Sequence, residues 1–161
     1  MKKKIGFILI FLLIVSNIFF ISHSYKANNL LQETNRELLS NTISRLNCAL
    51  YTEINYIENG QSNNDVKNVL TREINMIAFD LQRIGINIKS KELRELSMLI
   101  FQLPDKQNNI NYLKEFKVRI EELISLFSDS LFSMSEKEFL NLFVDSNSDV
   151  YKQLEKIIQG E

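Results

Sequence analysis

Lys2–Ile21 reads KKKIGFILIFLLIVSNIFFI, and the rest of the chain is organised around it. Three lysines, Lys2, Lys3 and Lys4, precede an apolar run relieved only by Gly6, Ser16 and Asn17. The run itself is Ile5, Phe7, Ile8, Leu9, Ile10, Phe11, Leu12, Leu13, Ile14, Val15, Ile18, Phe19, Phe20 and Ile21. A helix rises 1.5 Å per residue, so Ile5–Ile21 covers about 26 Å, the short end of a membrane span. Lysines before the run and none within it predict a cytoplasmic N-terminus under the positive-inside rule. The expected division is a basic tail at residues 1–4, an anchor at 5–22 and an extracytoplasmic domain at 23–161. Such a protein is a single-pass cell-membrane protein.

A cleaved signal peptide is the rival reading. Ser22-His23-Ser24 offers small residues at the spacing a signal peptidase reads, and cleavage there yields a secreted domain. The apolar run is longer than the usual core of about 7–15 residues, and Ser-x-Ser is a poorer site than Ala-x-Ala. An uncleaved anchor is therefore the expectation. Cys48 lies too far downstream for a lipoprotein signal. Lys4-Ile5-Gly6-Phe7-Ile8-Leu9-Ile10 resembles the leader of type IV prepilins, which implies cleavage after Gly6 and a mature chain beginning at Phe7. The glutamate those leaders carry at the fifth mature position is here Phe11, and the downstream chain lacks a pilin head's Gly-rich strand pattern.

Nineteen basic and twenty acidic residues balance the whole chain, and removing Lys2, Lys3 and Lys4 leaves sixteen against twenty, near −4. A nucleic-acid footprint needs a basic face, so a nucleic-acid partner is not expected. Cys48 is the only cysteine, which excludes an intrachain disulfide. A buried or idle thiol is the expectation, with interchain pairing as the alternative. Gly is scarce, Pro104 is the only proline and Trp is absent. So few breakers predict an all-α domain. The weight of Ile, Asn, Lys and Phe is that of a low-GC bacterial source.

From Ala27 to Asn59 no Gly or Pro interrupts the chain. Leu31, Leu38, Leu39, Ile43, Leu46, Leu50, Ile54 and Ile57 recur at threes, fours and sevens, predicting one long helix continuous with the anchor. Gly60 should end it and Ser62 should cap the next. That second helix has the expected inward stripe Val66, Val69, Leu70, Ile74, Ile77, Leu81 and Ile84. Ser90 caps a short helix that Pro104 stops. A further helix is expected from about Asn109 to Met134. Ser135-Glu136-Lys137-Glu138 is a capping box opening the last, which Asp145–Asp149 should kink or split. Each helix has one apolar face that it cannot bury alone. The predicted fold is an antiparallel bundle of about four to five helices.

The chain carries little readable chemistry. His23 is the only histidine and has neither a nucleophile nor ligand companions. Asp145-Ser146-Asn147-Ser148-Asp149 begins like a calcium loop, but Val150 and Lys156 replace its Gly and Glu, so a polar turn is the better reading. Glu92, Glu95, Glu121, Glu122, Glu136 and Glu138 read as solvated faces. No catalytic residue, metal or cofactor is expected. Leu126-Phe127 and Leu131-Phe132 put apolar residues on more than one helix face. Phe127 and Leu131 fall on the inward stripe, and core packing explains most of these residues. Some must be exposed or meet a partner, and the candidate contacts are Phe127, Leu131, Phe132, Phe139 and Phe143.

The resulting expectation is a non-catalytic interaction or accessory module in a bacterial envelope complex, held to lipid by its N-terminal helix. Its partner would be another envelope protein or a second copy. The cytoplasmic tail is too short to carry an output domain. The outline is similar to chemoreceptor sensor domains, a fold-level likeness without shared motifs. The alternative is a small-ligand or sensor bundle with an enclosed pocket near Tyr51, Tyr56 or Tyr112.

Overall fold

The chain was analysed as a computed structural model. It describes residues 2–60, 64–106 and 109–160, with side chains at 13–60, 66–106 and 109–160. All regular structure among the described residues is helical: α1 (Lys2–Glu58), α2 (Asn64–Asn87), α3 (Lys91–Phe101), α4 (Ile110–Ser128), α5 (Ser130–Ser133), α6 (Glu136–Asn141) and α7 (Asp149–Gln159). A 3-10 turn, Leu103–Lys106, joins α3 to α4. The all-α expectation holds. The chain divides into two compact units, Met1–Thr34 and Asn35–Glu161. The packed unit begins at Asn35.

The first unit is helical throughout its described residues. Leu13, Ile14, Val15, Ile18, Phe19, Phe20 and Ile21 are exposed, and the Phe19 ring stacks on His23. The side chains of Lys2, Lys3, Lys4, Ile5, Phe7, Ile8, Leu9, Ile10, Phe11 and Leu12, and of Gly6 in the prepilin-like leader, lie outside the described residues. Among the described residues no helix is long and apolar enough to cross a membrane.

The second unit is the bundle, and its polar contacts fix helix directions. Asn87 donates to Asn35 at 3.0 Å, and Arg45 reaches Glu73 at 2.7 Å and Asp80 at 3.3 Å, so α2 runs against α1. Glu58 pairs with Lys114, and the Lys117 ammonium stands 5.8 Å from the Tyr51 ring centre, so α4 also runs against α1. Phe79 meets Phe101 and Gly85 faces Arg94, making α2 and α3 an antiparallel hairpin. Gln153 donates to Glu122 and Arg119 to the Gly160 carbonyl, which sets α7 against α4. Leu39, Ile43, Leu46 and Leu50 of α1 meet the buried faces of the other helices in one core. Each such side chain contributes about 1.5–3 kcal/mol when removed from water.

The caps lie largely where the spacing puts them. Gly60, at φ 64°, ends α1 in the left-handed region where glycine has no Cβ to strain. The Ser62 cap lies outside the described residues. Ser90 accepts from the Leu93 amide at 3.2 Å. Ser135 and Glu138 form the full capping box. Those hydrogen bonds from Ser135 hold the Glu138 carboxyl below the usual range. Lys89 occupies φ 62° between α2 and α3, an unusual position for a side chain with a Cβ.

Two expected helices are broken. The run from Asn109 to Met134 stops at Ser128, and α5 is a separate turn. Here Ser125 and Ser128 bond the carbonyls of Glu122 and Ser125, the backbone competition that weakens a helix interior. The last helix splits into α6 and α7. Asp145 accepts from the Asn147 amide at 3.0 Å to close an Asx turn, and Ser148 caps α7 by accepting from Tyr151. That calcium-like stretch is a polar turn and a cap.

Candidate functional site

Phe127, Phe139 and Phe143 do not face a partner. They form a fully packed aromatic trio with ring centres 5.5 to 5.8 Å apart, and Arg36 caps the Phe139 ring at 5.6 Å. These three belong with the core packing expected for most of the candidate contacts, and leave Phe132 as the exposed candidate. The split between α6 and α7 turns Phe143 inward, and the break after Ser128 lets Phe127 close on Phe139. Leu131 is half-buried against the core. Phe132, in contrast, is 90% exposed on α5, near exposed Met134.

The second apolar surface was not read from the sequence. Along α2, Val69, Arg72, Met76, Phe79, Arg83 and Ile86 recur at threes and fours and therefore share one helix face. All six are exposed, Phe79 at 62% and Val69 at 66%. Val69 belongs to this outer face and not to the inward stripe. It stands 100° of helix rotation from buried Leu70, on the side away from Ile74 and Leu81. On α3, Arg94, Met98 and Phe101 form a matching stripe, with Met98 at 60% exposure. The Phe79 and Phe101 rings meet edge to face at 4.9 Å and join the stripes into one surface. A signal was present: α2 carries more apolar residues than one face can hold.

Polar residues elsewhere are structural. Glu92 is buried, contrary to its reading as a solvated face. It accepts from the Tyr151 hydroxyl at 2.7 Å, while Ser90 donates to the Phe143 carbonyl at 2.9 Å. This hydrogen bond to Glu92 pushes the Tyr151 phenol up to about 12. The cluster ties α3, α7 and the turn between α6 and α7 together. Glu95 pairs with Lys91, Glu121 with Lys117 and Glu136 with Arg36. No group of His, Cys, Asp or Glu among the described residues could hold a metal ion.

A groove of about 680 Å³ runs between α1 and α2. Asn41, Ser44, Cys48 and Thr52 line its outer side, and Arg45–Glu73 is the ion pair beside it. Cys48 is exposed there, not buried. This groove is not the expected tyrosine-lined pocket. Tyr51 is exposed under Lys117, and Tyr112 stacks on Phe116, where burial pushes its phenol upward.

Comparison with known proteins finds no matching family model, no matching curated protein and no matching solved structure.

Proposed function

We propose that this chain is a membrane-tethered, non-catalytic interaction module whose bundle stands outside the cytoplasm and docks on another envelope protein. The tether rests on the sequence, on Ile5–Ile21 and the lysines before it. The observation that carries the docking role is the exposed apolar surface of α2 and α3 in a unit whose phenylalanines are otherwise largely packed. Phe79, Met98 and Phe132 remain in water although the core beneath them is filled. Exposed apolar residues in a joined patch, unlike scattered ones, mark contact surfaces. A ligand-binding bundle is the second reading, and the groove beside Arg45 is the feature that favours it.

Fractionation with protease treatment of intact cells tests the tether. The chain should sediment with membranes, resist salt extraction, dissolve in detergent and be degraded from outside the cell. Recovery in the soluble cytoplasmic fraction overturns the proposal. The mass of the mature N-terminus separates the variants: Met1 for an intact anchor, Tyr25 for a secreted domain and Phe7 for a pilin-like protein. Cross-linking at the membrane that returns no specific protein partner overturns the docking role.

A further inference from the structure

We infer that the α2–α3 face receives an amphipathic helix of another protein, one carrying large apolar anchors flanked by Asp or Glu. The inference rests on the docking role proposed above and names the surface and the chemistry of the partner.

The charge on this face runs against that of the molecule. Beyond the first four residues the chain has a net charge near −4, yet the exposed charges among the apolar residues of this face are Arg72, Arg83, Lys91 and Arg94, with Asp80 beside Arg83 and Glu95 beside Lys91. Arg72 and Arg94 are exposed and Arg83 leaves 62% of its side chain in water. Asp80, which neighbours Arg83 at 3.3 Å, is shared with Arg45 on the α1 side. Arg94 donates its Nε–H to the Ser90 carbonyl at 3.3 Å. Guanidinium groups bind carboxylates through paired, planar hydrogen bonds, so this rim selects acidic side chains. The same three arginines repel their own copies, which disfavours a symmetric pairing of two such faces.

The centre of the face suits a helix. Met76 and Met98 are flexible, polarisable side chains that adapt to a partner's contour, while Phe79 and Phe101 supply fixed area. From Val69 to Ile86 the face extends about 26 Å along α2, the length of a helix of roughly 18 residues. The α3 stripe from Arg94 to Phe101 runs beside Phe79–Ile86 for about 10 Å of that length, and α2 alone carries the rest, so a helix docks along α2 by its i, i+4 and i+7 anchors. An anionic membrane would also satisfy the arginines. Phe79 and Phe101 meet edge to face along the helix bodies, and the vesicle measurement below separates a membrane from a protein helix.

Titration of the full chain in neutral detergent with fluorescent helical peptides tests this. One peptide of about 18 residues carries Leu anchors with Glu flanks, and its control replaces each Glu by Lys. The acidic peptide should bind at least about tenfold more tightly, and added salt should weaken it. Phe79→Ser and Met98→Ser should each reduce binding by about tenfold, and Arg72→Glu with Arg83→Glu should reverse the preference between peptides. Helicity by circular dichroism checks that each variant folds. Binding of neither peptide, equal binding of both, or binding indifferent to Phe79 and Met98 overturns the inference. So does flotation with vesicles containing phosphatidylglycerol that Phe79→Ser abolishes, or a homodimer that this variant dissolves. A partner cross-linked in cells from Phe132 but not from residue 79 or 98 removes this face and leaves the docking role standing. Absence of partner adducts from every position removes both.

Discussion

Two pairs of aromatic contacts in the bundle have opposite relations to water. Phe127 and Phe139 meet edge to face at 5.8 Å in the core, and Phe79 and Phe101 meet edge to face at 4.9 Å on the outside. The geometry is nearly the same, but only the first pair is fully enclosed. Aromatic contact alone therefore does not identify a core. What separates them is the charge and exposure of their neighbours: Arg36 closes over Phe139 and pairs with Glu136, whereas Arg72, Arg83 and Arg94 line the outer pair and reach solvent. The buried pair holds the fold, while in the outer pair Phe101 is half-buried against the core and Phe79 is left 62% exposed.

The sharpest way to break this comparison is to truncate one ring of each pair. Phe139→Ala should cost about 3–5 kcal/mol by opening a cavity in a packed site. Phe79→Ala should cost under about 1 kcal/mol, the range of surface changes, although it removes a contact of the same kind. Urea unfolding of both variants measures the difference. Comparable losses would mean that the outer pair is part of the core.

A smaller effect is expected at the polar tie beneath the trio. Ser90→Ala removes the α3 cap and leaves the Phe143 carbonyl without its donor, at a cost of about 1–3 kcal/mol in the same assay. The change should leave peptide binding on the α2–α3 face intact once the variant is folded. Smaller still, Lys89→Gly relieves a left-handed backbone at the hairpin turn. It should stabilise the bundle by up to about 1 kcal/mol, read as a higher Tm.

One pH dependence follows from the polar tie between α3 and α7. Tyr151 has its folded pKa raised to about 12 from 10.0 by the hydrogen bond to Glu92. Its contribution to stability is full below pH 10 and is lost as pH rises through about 12. Alkaline melts should show that loss for the natural chain, and Tyr151→Phe should remove it. Absorbance of the phenolate near pH 10 at Tyr151 would contradict the contact.

Much of the helical architecture was legible because caps and spacing act locally. Ser90 and Ser135 cap where they stand in sequence, and Gly60 ends α1 for a reason visible in a single residue. The aromatic trio was not legible, since Phe127, Phe139 and Phe143 converge only after two breaks between Ser128 and Asp149. The split at Asp145–Asp149 was legible as a polar cluster, whereas the break after Ser128 comes from serine side chains competing for backbone partners, a balance that periodicity does not register. Glu92 was misread for a related reason: its partner, Tyr151, is fifty-nine positions away. The outer face of α2 could have been found. Val69, Met76, Phe79 and Ile86 repeat at helical spacing outside the inward set, the same two-faced excess that drew attention to Phe132.

The most direct test of the docking account is site-specific photo-cross-linking in cells with the probe placed at residue 79, 98 or 118 of the full chain. Val118 is exposed on α4 and serves as the comparison position. The account predicts one discrete adduct with another protein from residues 79 and 98, abolished by Arg72→Glu with Arg83→Glu, and none from residue 118. No adduct from residues 79 and 98, or the same products from all three positions, would contradict it.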